Sequence, residues 1–385
     1  MITNMSRVIS GILCLVLCGC SFAKNEVSVS NIDFGQLSTS ATAVAGFKYA
    51  NSPRSFAFPI DHSAHEDYQI EWWYFTGNLE TNEGRHFGYQ LTIFRRGLIP
   101  GSNDAKADSN FATTQIYSAD FAVTDSMAGD HQAFVQRSRG AAGLAGAQAQ
   151  PFRVWVYNWS ITGPTPEQPN TFKLSAAEDT FSIDLQVEAT KPPIVHRPGG
   201  VSPKNADGSS ASYYYSLTRM KTTGGISTPS GRFEVTGNSW MDHEFGTNFL
   251  NAEVAGWDWF AIQLADGTDV ALGRIKDKNG SYRAIYTGSL IESNASHRIL
   301  NSSEVIYEPI RVWRSAKSGY QYPILWKITI PSEQLVLEIS AKIEDQELHT
   351  TSIYWEGAID ITGARQGKPI TGSGYMEMTG APLAQ

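Results

Sequence analysis

Hydrophobic and polar residues alternate along most of the chain, with the two-residue period of a β-strand that has one buried face. Segment 70–75 is rich in aromatic residues, a turn sequence follows at 81–84, and segment 87–94 alternates again. This succession predicts a β-hairpin. Further hairpin turns are predicted at 265–267 and 277–280, and no segment has the period of a long amphipathic helix. We therefore predict an all-β fold of antiparallel strands.

Two short motifs occur twice and in the same order, which indicates an internal duplication. Segment 72–75 is similar to 257–260, and segment 235–242 is similar to 370–377. We expect the first pair to mark the opening hairpin of each domain and the second pair to mark its closing strand. The first pair is further apart than the second, so we expect extra material in the first domain, within the Ala- and Gly-rich stretch 100–150.

The N-terminus is typical of a bacterial lipoprotein signal. Arg7 precedes an apolar run over 8–16, which is too short to span a bilayer and is read as a cleaved export signal. Leu17 and Gly19 occupy the third and first positions before Cys20. This is the lipobox pattern, in which the cysteine thiol is lipidated and becomes the new N-terminus.

We accordingly expect a signal peptide over 1–19, and a lipid anchor at Cys20 followed by a flexible tether, together covering 20–55. Ser21 is not the aspartate associated with retention in the inner membrane. The predicted location is therefore the cell envelope, at the outer membrane and facing the periplasm. The alternative is an ordinary secretory signal that happens to contain cysteines.

Composition excludes several classes of chemistry. The only cysteines, Cys14, Cys18 and Cys20, lie in this N-terminal segment, so the mature protein would have no disulfide, catalytic thiol or cysteine-ligated metal. The formal net charge is −8, and it becomes more negative once Arg7 is removed. An acidic surface without Lys or Arg clusters argues against nucleic acid as a partner.

Several ordered motifs resemble the AttH-like family, also called carotenoid 1,2-hydratase-like or hydroxyneurosporene synthase-like. They lie at 58–65, 71–74, 88–95, 212–219, 240–246, 256–260, 354–357 and 374–380. The resemblance implies two tandem lipocalin-like (calycin) antiparallel β-barrels packed against each other. We place these domains at 56–245 and 246–385.

The resemblance also implies a hydrophobic small molecule as partner: a lipid, an isoprenoid or a polyketide. Some members of the family hydrate isoprenoid double bonds, and many bacterial members are lipoproteins encoded near lipid-type ABC exporters. Two departures concern the hydratase branch. Phe245 stands where tryptophan is common, and the apolar segment 270–272 stands roughly where that branch has a tyrosine and an aspartate.

Hydration of an unactivated alkene needs a strong proton donor beside an apolar pocket, since the intermediate is a carbocation that aromatic faces can stabilise. Asp242, His243 and Glu244 are our candidate catalytic residues. On a strand, Asp242 and Glu244 would share one face and His243 would take the other. We expect Asp242 or His243 to face a cleft between the barrels. The alternative is a hydrogen-bond network that holds the two domains together.

Aromatic residues around these carboxyls form the candidate ligand-binding set. With two acidic neighbours, the set is Glu71, Trp72, Trp73, Tyr74, Trp240, Trp257, Asp258 and Trp259. The alternative for the tryptophans is packing in the barrel cores. The alternative for Glu71 is an ion pair with Arg95 on the neighbouring strand.

No metal or cofactor is predicted. Asp61, His62, His65 and Glu66 have a spacing that only weakly suggests zinc, and there is no Gly-rich phosphate loop or nucleophile elbow. Three functions stay open: a hydratase-like enzyme, a carrier of lipid-like molecules, and a structural envelope protein associated with a lipid-type ABC exporter. A carboxyl or imidazole facing an apolar cavity would favour the enzyme, and filled barrels without a cavity would favour the structural protein.

Overall fold

The computed structural model describes residues 44–101, 113–205, 208–248, 254–285, 288–350 and 352–379. The signal peptide, Cys20 and the tether as far as residue 43 lie outside these ranges. Within them the chain forms two antiparallel sheets, and its helical segments are short 3₁₀ turns. This confirms the prediction of an all-β fold. No helix in the described part of the chain has the length and apolar character needed to span a membrane.

The first sheet has thirteen strands and curves into a near-closed barrel. The strands are β1 (Ile70–Glu80), β2 (His86–Gly97), β3 (Gln115–Asp125), β4 (Asp130–Arg139), β5 (Ala145–Gln148), β6 (Arg153–Val156), β7 (Trp159–Thr162), β8 (Thr171–Glu178), β9 (Phe181–Ala189), β10 (Ile194–Val195), β11 (Val201–Pro203), β12 (Ala211–Thr228) and β13 (Gly231–Asn248). Their order is β4-β3-β2-β1-β13-β12-β9-β8-β7-β6-β5, and β10 and β11 pair with β12.

The second sheet has ten strands and forms a half-barrel. The strands are β14 (Val254–Leu264), β15 (Asp269–Asp277), β16 (Gly288–Ile291), β17 (His297–Leu300), β18 (Ile306–Arg314), β19 (Gln321–Ile330), β20 (Leu335–Ala341), β21 (Glu347–His349), β22 (Ile353–Arg365) and β23 (Lys368–Thr379). Their order is β17-β16-β15-β14-β23-β22-β20-β19-β18, and β21 pairs with β22.

Two of the three predicted hairpins join consecutive strands, whereas the turn at 277–280 is closed only by an isolated bridge between Lys276 and Tyr282. Gly84, with φ of 82°, lies in the turn between β1 and β2, and Gly267, with φ of 88°, lies in the turn between β14 and β15. Both turns need a backbone conformation that glycine adopts without steric cost. The closed hairpins fix the register of the first two strands of each sheet.

The duplicated motifs occupy equivalent places in the two sheets. The first strand of each sheet pairs with its last strand: β1 with β13, and β14 with β23. In these pairs Tyr74 lies opposite Asp242, and Trp259 lies opposite Glu377. Along the strand order the first sheet has two more strands than the second, β5 and β6, over 145–156, so the extra material lies only partly in the stretch we predicted.

Side chains fill the interiors of both sheets. Trp73, Trp159 and Phe121 belong to the first core, and Trp326 and Trp355 belong to the second. Each of these five side chains exposes at most 1% of its surface to solvent. A ligand site therefore has to lie outside these cores, between the sheets or on the surface.

A buried ionic cluster joins the two sheets. Asp269, at the start of β15, is fully buried. Its carboxylate accepts hydrogen bonds from the Lys191 ammonium at 2.7 Å, the Arg219 guanidinium at 2.7 Å and the Thr218 hydroxyl at 2.8 Å. The side-chain amide of Gln263 adds bonds to the Thr218 and Ser239 carbonyls. These contacts hold the outer face of β14 and β15 against β12 and β13.

We predict that Asp269→Ala destabilises the protein by about 3–5 kcal/mol, because it leaves two cations buried without their counter-charge. Denaturant unfolding of the full chain measures this. The control is Glu308→Ala, which removes an exposed pair with Lys327 and should cost less than about 1 kcal/mol. Equal losses in the two variants would contradict a special role for the Asp269 cluster.

Candidate functional site

A cleft of about 200 Å³ lies between the outer faces of the two sheets. The first sheet contributes side chains from β1, β2, β3, β11, β12 and β13, and the second contributes side chains from β14, β15, β22 and β23. The lining includes aromatic residues, acidic residues, all of them buried except the half-buried Glu377, and two basic residues: Trp72, Tyr74, Phe94, Tyr214, Trp257, Trp259, Tyr354, Asp120, Asp242, Glu244, Asp258, Glu356, Glu377, Lys204 and Arg274.

The two-residue period of the strands decides which predicted residues reach the cleft. On β1, Trp72 and Tyr74 line the cleft, whereas Trp73 points into the first core. On β13, Asp242 and Glu244 line the cleft. The expectation that Asp242 or His243 faces an inter-barrel cleft therefore holds for Asp242.

Asp242 is held by donors from its own sheet. Its carboxylate accepts hydrogen bonds from the Tyr214 hydroxyl at 2.9 Å, from Trp240 Nε1 at 2.7 Å and from the Ser216 hydroxyl. Burial raises the pKa of Asp242 to about 7, although these three hydrogen bonds oppose the shift. Near neutral pH the group is therefore poised between its carboxylic acid and carboxylate forms.

Glu377 and Glu356 form a second acidic pair, on the opposite wall of the cleft. They lie directly opposite each other in the β22–β23 register, and Trp257 Nε1 donates to Glu377 at 3.1 Å. Burial raises the pKa of Glu377 to about 8, and the charges of Asp242 and Asp120 add to the shift. Burial, followed by the charge of Glu377, raises the pKa of Glu356 well above its usual range.

Asp120 on β3 is a further buried carboxyl of the cleft. Its Oδ2 accepts hydrogen bonds from the Thr350 hydroxyl at 3.1 Å and the Tyr354 hydroxyl at 3.3 Å. Burial raises its pKa to about 6, against the effect of these two donors. The cleft thus combines carboxyls that ionise at different pH, which is the arrangement that acid–base catalysis needs.

Aromatic rings surround these carboxyls. Trp259 makes edge-to-face contacts with Tyr74 at 5.2 Å and with Trp240 at 6.2 Å between ring centroids. Trp257 and Trp259 are only partly buried and line the cleft. The alternative that these two tryptophans pack in a barrel core is therefore wrong: they lie on the outer face of β14, opposite the core residue Phe260.

Two ion pairs complete the lining of the cleft. Glu244 pairs with Lys204 and accepts a hydrogen bond from the Ser212 hydroxyl. Asp258 accepts from Arg274 Nε at 2.7 Å, and the Arg274 guanidinium lies 3.8 Å from the ring centroid of Tyr282. Because both acids are paired with cations, they are less suited to proton transfer than Asp242 or Glu377.

His243 and Glu71 lie on the other face of their strands and do not line the cleft. His243 Nε2 is 2.9 Å from Glu71 Oε1, and Arg95 Nε donates to Glu71 Oε2 at 2.9 Å. His65 Nδ1 bonds to the same Glu71 carboxylate at 2.8 Å. The predicted Glu71–Arg95 pair is therefore confirmed. We predicted that Glu71 contacts the ligand and that His243 is catalytic. The geometry matches neither prediction, because both side chains point into the first barrel and away from the cleft.

The alternative that residues 242–244 form the domain junction is also not what the structure shows. The hydrogen bonds of Asp242 and Glu244, and those of His243, go to residues of the first sheet or of the segment before it. The Asp269 cluster makes the junction instead. Residues 242–244 therefore divide between the cleft and an internal network of the first barrel.

His65, Glu71 and His243 offer three metal-ligand atoms within 4.8 Å of one another. The Arg95 guanidinium already neutralises Glu71, and His65 Nε2 bonds to Asp61 at 2.9 Å. The pKa of His65 is raised by its bonds to Asp61 and Glu71, against the opposing effect of burial. These contacts describe a charge-balanced hydrogen-bond network. The weak zinc spacing at Asp61 to Glu66 does not bring His62 and His65 together, because His62 Nδ1 bonds to Tyr215.

The departures from the hydratase branch can now be located. The ring of Phe245 stacks on His65 at 3.6 Å between centroids, so this departure affects the internal network. Val270 and Leu272 point into the second core. The acids of the cleft come instead from β3, β13, β22 and β23.

Sequence reasoning missed Glu356, Glu377 and Asp120. A signal for Glu377 was present, since it occupies the place of Asp242 in the duplicated motif. Glu356 lies opposite Glu377 as Ser216 lies opposite Asp242, so it could be found only once the strand pairing was known. Asp120 does not belong to any of the sequence motifs described above.

Comparison with known proteins gives a consistent result. The profile of the AttH-like family matches residues 49–381. A solved structure of an AttH protein from Nitrosomonas europaea is 30% identical and superposes with a TM-score of 0.74, covering 89% of this chain and 99% of that one. Kievitone hydratase from Nectria haematococca has the same fold at 16% identity, with a TM-score of 0.62 over 88% of this chain and 98% of that one.

A more distant similarity is found to the dehydratase asqC of Emericella nidulans. The two sequences are 21% identical over 228 residues, which are 56% of this chain and 63% of the fungal protein. The alignment thus spans less than two thirds of that relative.

We predict that Glu71→Gln destabilises the protein by about 3–5 kcal/mol at pH 7, since it leaves Arg95 unpaired in the core. The contacts with Arg95, His243 and His65 lower the pKa of Glu71 against the effect of burial. Its stabilisation is therefore present above its usual pKa of 4.5 and is lost as the pH falls below that value. Stability measured from pH 7 to pH 3 should show the difference from wild type shrinking below about pH 4.5, by up to about 1.4 kcal/mol per pH unit. A difference that is constant with pH would contradict an ionised Glu71.

Proposed function

The chain belongs to the AttH-like family, and from that premise we propose that it adds water to, or removes water from, a small hydrophobic molecule bound in the cleft between the barrels. The observation that carries this proposal is the presence of buried carboxyls with raised pKa values on a wall of aromatic rings. The names of two similar proteins, a hydratase and a dehydratase, support the same class of reaction. We expect an isoprenoid or lipid-like substrate.

The acids on the two walls of the cleft would have different roles in the reaction, one as proton donor and the other as proton acceptor. Glu377 has a higher pKa than Asp242 and would donate a proton to the alkene, giving a tertiary carbocation. The faces of Trp257 and Trp259 would stabilise this cation. Water would then add to the cation, and the Asp242 carboxylate would accept the proton that the water loses. Exchange of that proton with solvent would restore Glu377, and dehydration is the same sequence in reverse.

The carrier and structural alternatives receive less support. Large buried side chains pack inside both sheets, whereas the cleft of about 200 Å³ lies between them, unlike the central cavity of a transport barrel. The cleft is acidic as well as aromatic, whereas a carrier of hydrocarbons needs only apolar walls. Asp120, Asp242 and Glu356 are buried, and buried carboxyls without a cation partner are costly to maintain unless they react.

We predict that Asp242→Asn and Glu377→Gln each lower turnover by about 10²–10⁴-fold while substrate binding is retained. The assay incubates the full chain with polyprenyl and prenylated aromatic compounds in water labelled with heavy oxygen, and follows the gain of labelled water by mass spectrometry. Activity should fall below about pH 7, where Asp242 is protonated, and above about pH 8, where Glu377 is ionised.

The matched control is Asp184→Asn, which changes an exposed carboxylate on β9 and should leave the rate unchanged. Full activity of both cleft variants on a substrate that wild type hydrates would refute the roles proposed for Asp242 and Glu377. A pH profile that stays flat from pH 6 to pH 9 would count equally against them.

We also propose that the protein is an envelope lipoprotein, anchored through Cys20 at the periplasmic face of the outer membrane and working beside a lipid-type ABC exporter. This proposal is supported by the lipobox pattern over 17–20. It is also supported by the resemblance to bacterial family members that are lipoproteins encoded near lipid-type ABC exporters. We predict that Cys20→Ser moves the protein from the membrane fraction to the soluble fraction. Cys18→Ser is the matched control and should stay with the membrane. Membrane association that survives Cys20→Ser would disprove the anchor.

A further inference from the structure

A series of hydrogen bonds reaches Asp242 from the second sheet, through residues that do not line the cleft. His196 directly follows β10, and its Nε2 lies 2.7 Å from the Ser216 hydroxyl on β12. Its Nδ1 lies 3.1 Å from the Ser289 hydroxyl on β16, and Ser216 donates to Oδ1 of Asp242. We call Ser289, His196 and Ser216 the His196 network. Each of the three is at most 1% exposed, so these bonds lie out of reach of bulk water.

The hydrogen bonds of the His196 network all run in one direction. A serine hydroxyl has a single proton, and Ser216 gives its proton to Asp242. The Ser216 oxygen must then accept a hydrogen bond from His196 Nε2. Burial lowers the pKa of His196 to about 3, so the ring is neutral near pH 7 and has one N–H group. Nδ1 is therefore an acceptor, and the Ser289 hydroxyl donates to it.

The same network distinguishes the two oxygens of Asp242. Oδ1 accepts from Ser216 and also from Trp240 Nε1, which can only donate. A proton on Oδ1 would therefore face two donors. Oδ2 lies 2.9 Å from the Tyr214 hydroxyl, which can either donate or accept. Oδ2 is thus the oxygen that is suited to gain and lose a proton.

His196 also contacts the residue beside Oδ2. Its imidazole stacks on the ring of Tyr214, with 4.5 Å between the ring centroids and 26° between the ring planes. His196 therefore touches the donors of both oxygens, Ser216 through a hydrogen bond and Tyr214 through its ring. The other titratable groups that interact electrostatically with Asp242 or His196 are Tyr74, Lys204, Glu244, His297 and Glu377. All of these groups stay in place in the variants described below.

We propose that His196 is a positioning residue for the base of the reaction: through Ser216 it keeps Oδ1 of Asp242 as an acceptor, so that Oδ2 receives the proton. In this step the oxygen of water bonds to the carbocation, one O–H bond of the water breaks, and the proton passes to Oδ2. The carboxylate becomes a carboxylic acid, and the His196 network is unchanged. This inference rests on the proposed function. Because Ser289 belongs to the second sheet, the state of Asp242 depends on contact between the two sheets.

Nitrogen NMR of the full chain, labelled with nitrogen-15 histidine, tests the direction of the network. The resonances that are lost in His196→Gln belong to His196. Between about pH 6 and pH 9 we expect its Nε2 to be protonated and its Nδ1 to be unprotonated. Protonation of Nδ1 in place of Nε2, or of both nitrogens, would overturn the proposal.

Infrared titration tests the effect on Asp242, whose carboxylic acid step is the one that is absent in Asp242→Asn. The Ser216 hydrogen bond lowers the pKa of Asp242, so Ser216→Ala should raise the midpoint by about one pH unit. His196→Phe should also raise it, since a hydroxyl that accepts no hydrogen bond is a weaker donor. The double variant should match Ser216→Ala, because His196 acts through Ser216.

Two further variants serve as controls. His196→Gln keeps an N–H donor for Ser216 and should restore a midpoint close to that of wild type. Ser175→Ala, an exposed change on β8, is matched to Ser216→Ala and should cause no shift. An unchanged midpoint in either Ser216→Ala or His196→Phe would overturn the positioning role. So would additive shifts in the double variant, or a shift in His196→Gln as large as that in His196→Phe.

Neither titration uses a substrate, so the failure of the network can be told apart from the failure of the reaction. On a compound that wild type hydrates, the acidic limb of the rate profile should move to higher pH together with the Asp242 midpoint, since a base is active only when ionised. Shifted midpoints without hydration by wild type would refute the reaction and leave the network standing. Hydration with unshifted midpoints would refute the network alone.

Discussion

A carboxyl group that is moved out of water without a cation beside it holds its proton to higher pH than it does in solution. The chemistry proposed for this protein depends on that effect, applied to Asp242 and Glu377. The outer faces of two sheets press these groups together, and hydrogen bonds from Tyr214, Ser216 and Trp240 only partly offset the burial of Asp242. By contrast, Glu71 is equally buried but lies beside Arg95 and is held ionised. The neighbouring Arg95 cation thus distinguishes Glu71 from Asp242 and Glu377 in the same chain.

Duplication explains how the cleft came to have acids on both walls. In each sheet the first strand is rich in aromatic residues and pairs with the last strand. The pair Tyr74 and Asp242 in the first sheet is equivalent to the pair Trp259 and Glu377 in the second. Filled cores make each sheet rigid, and the Asp269 cluster fixes one sheet against the other. A site formed by two such walls is pre-organised, so its carboxyls need little rearrangement when a substrate binds.

Much of the fold could be predicted from the sequence, because alternation and turn residues are local signals. The same alternation predicted that Asp242 and Glu244 share a face that His243 does not, and the aromatic surroundings of Glu71 pointed to Arg95. It could not show which face meets the other barrel. For that reason Trp257 and Trp259 were open to interpretation as core residues, and Glu71 was grouped with ligand contacts.

The acidic residues Glu377, Glu356 and Asp120 were harder to identify from the sequence. Glu377 could have been identified from the repeat of the Asp242 motif, but Glu356 needs the strand pairing and Asp120 needs the packing of the sheets.

Infrared difference spectroscopy of the full chain would test most directly whether the cleft holds protonated carboxyls near neutral pH. Between pH 6 and pH 9 we expect the C=O stretching band of carboxylic acids to weaken in steps near pH 7 and pH 8, with the later step missing in Glu377→Gln. If no carboxylic acid band is present at pH 6, the carboxyls of the cleft are ionised. In that case the acid–base role proposed for Asp242 and Glu377 is incorrect.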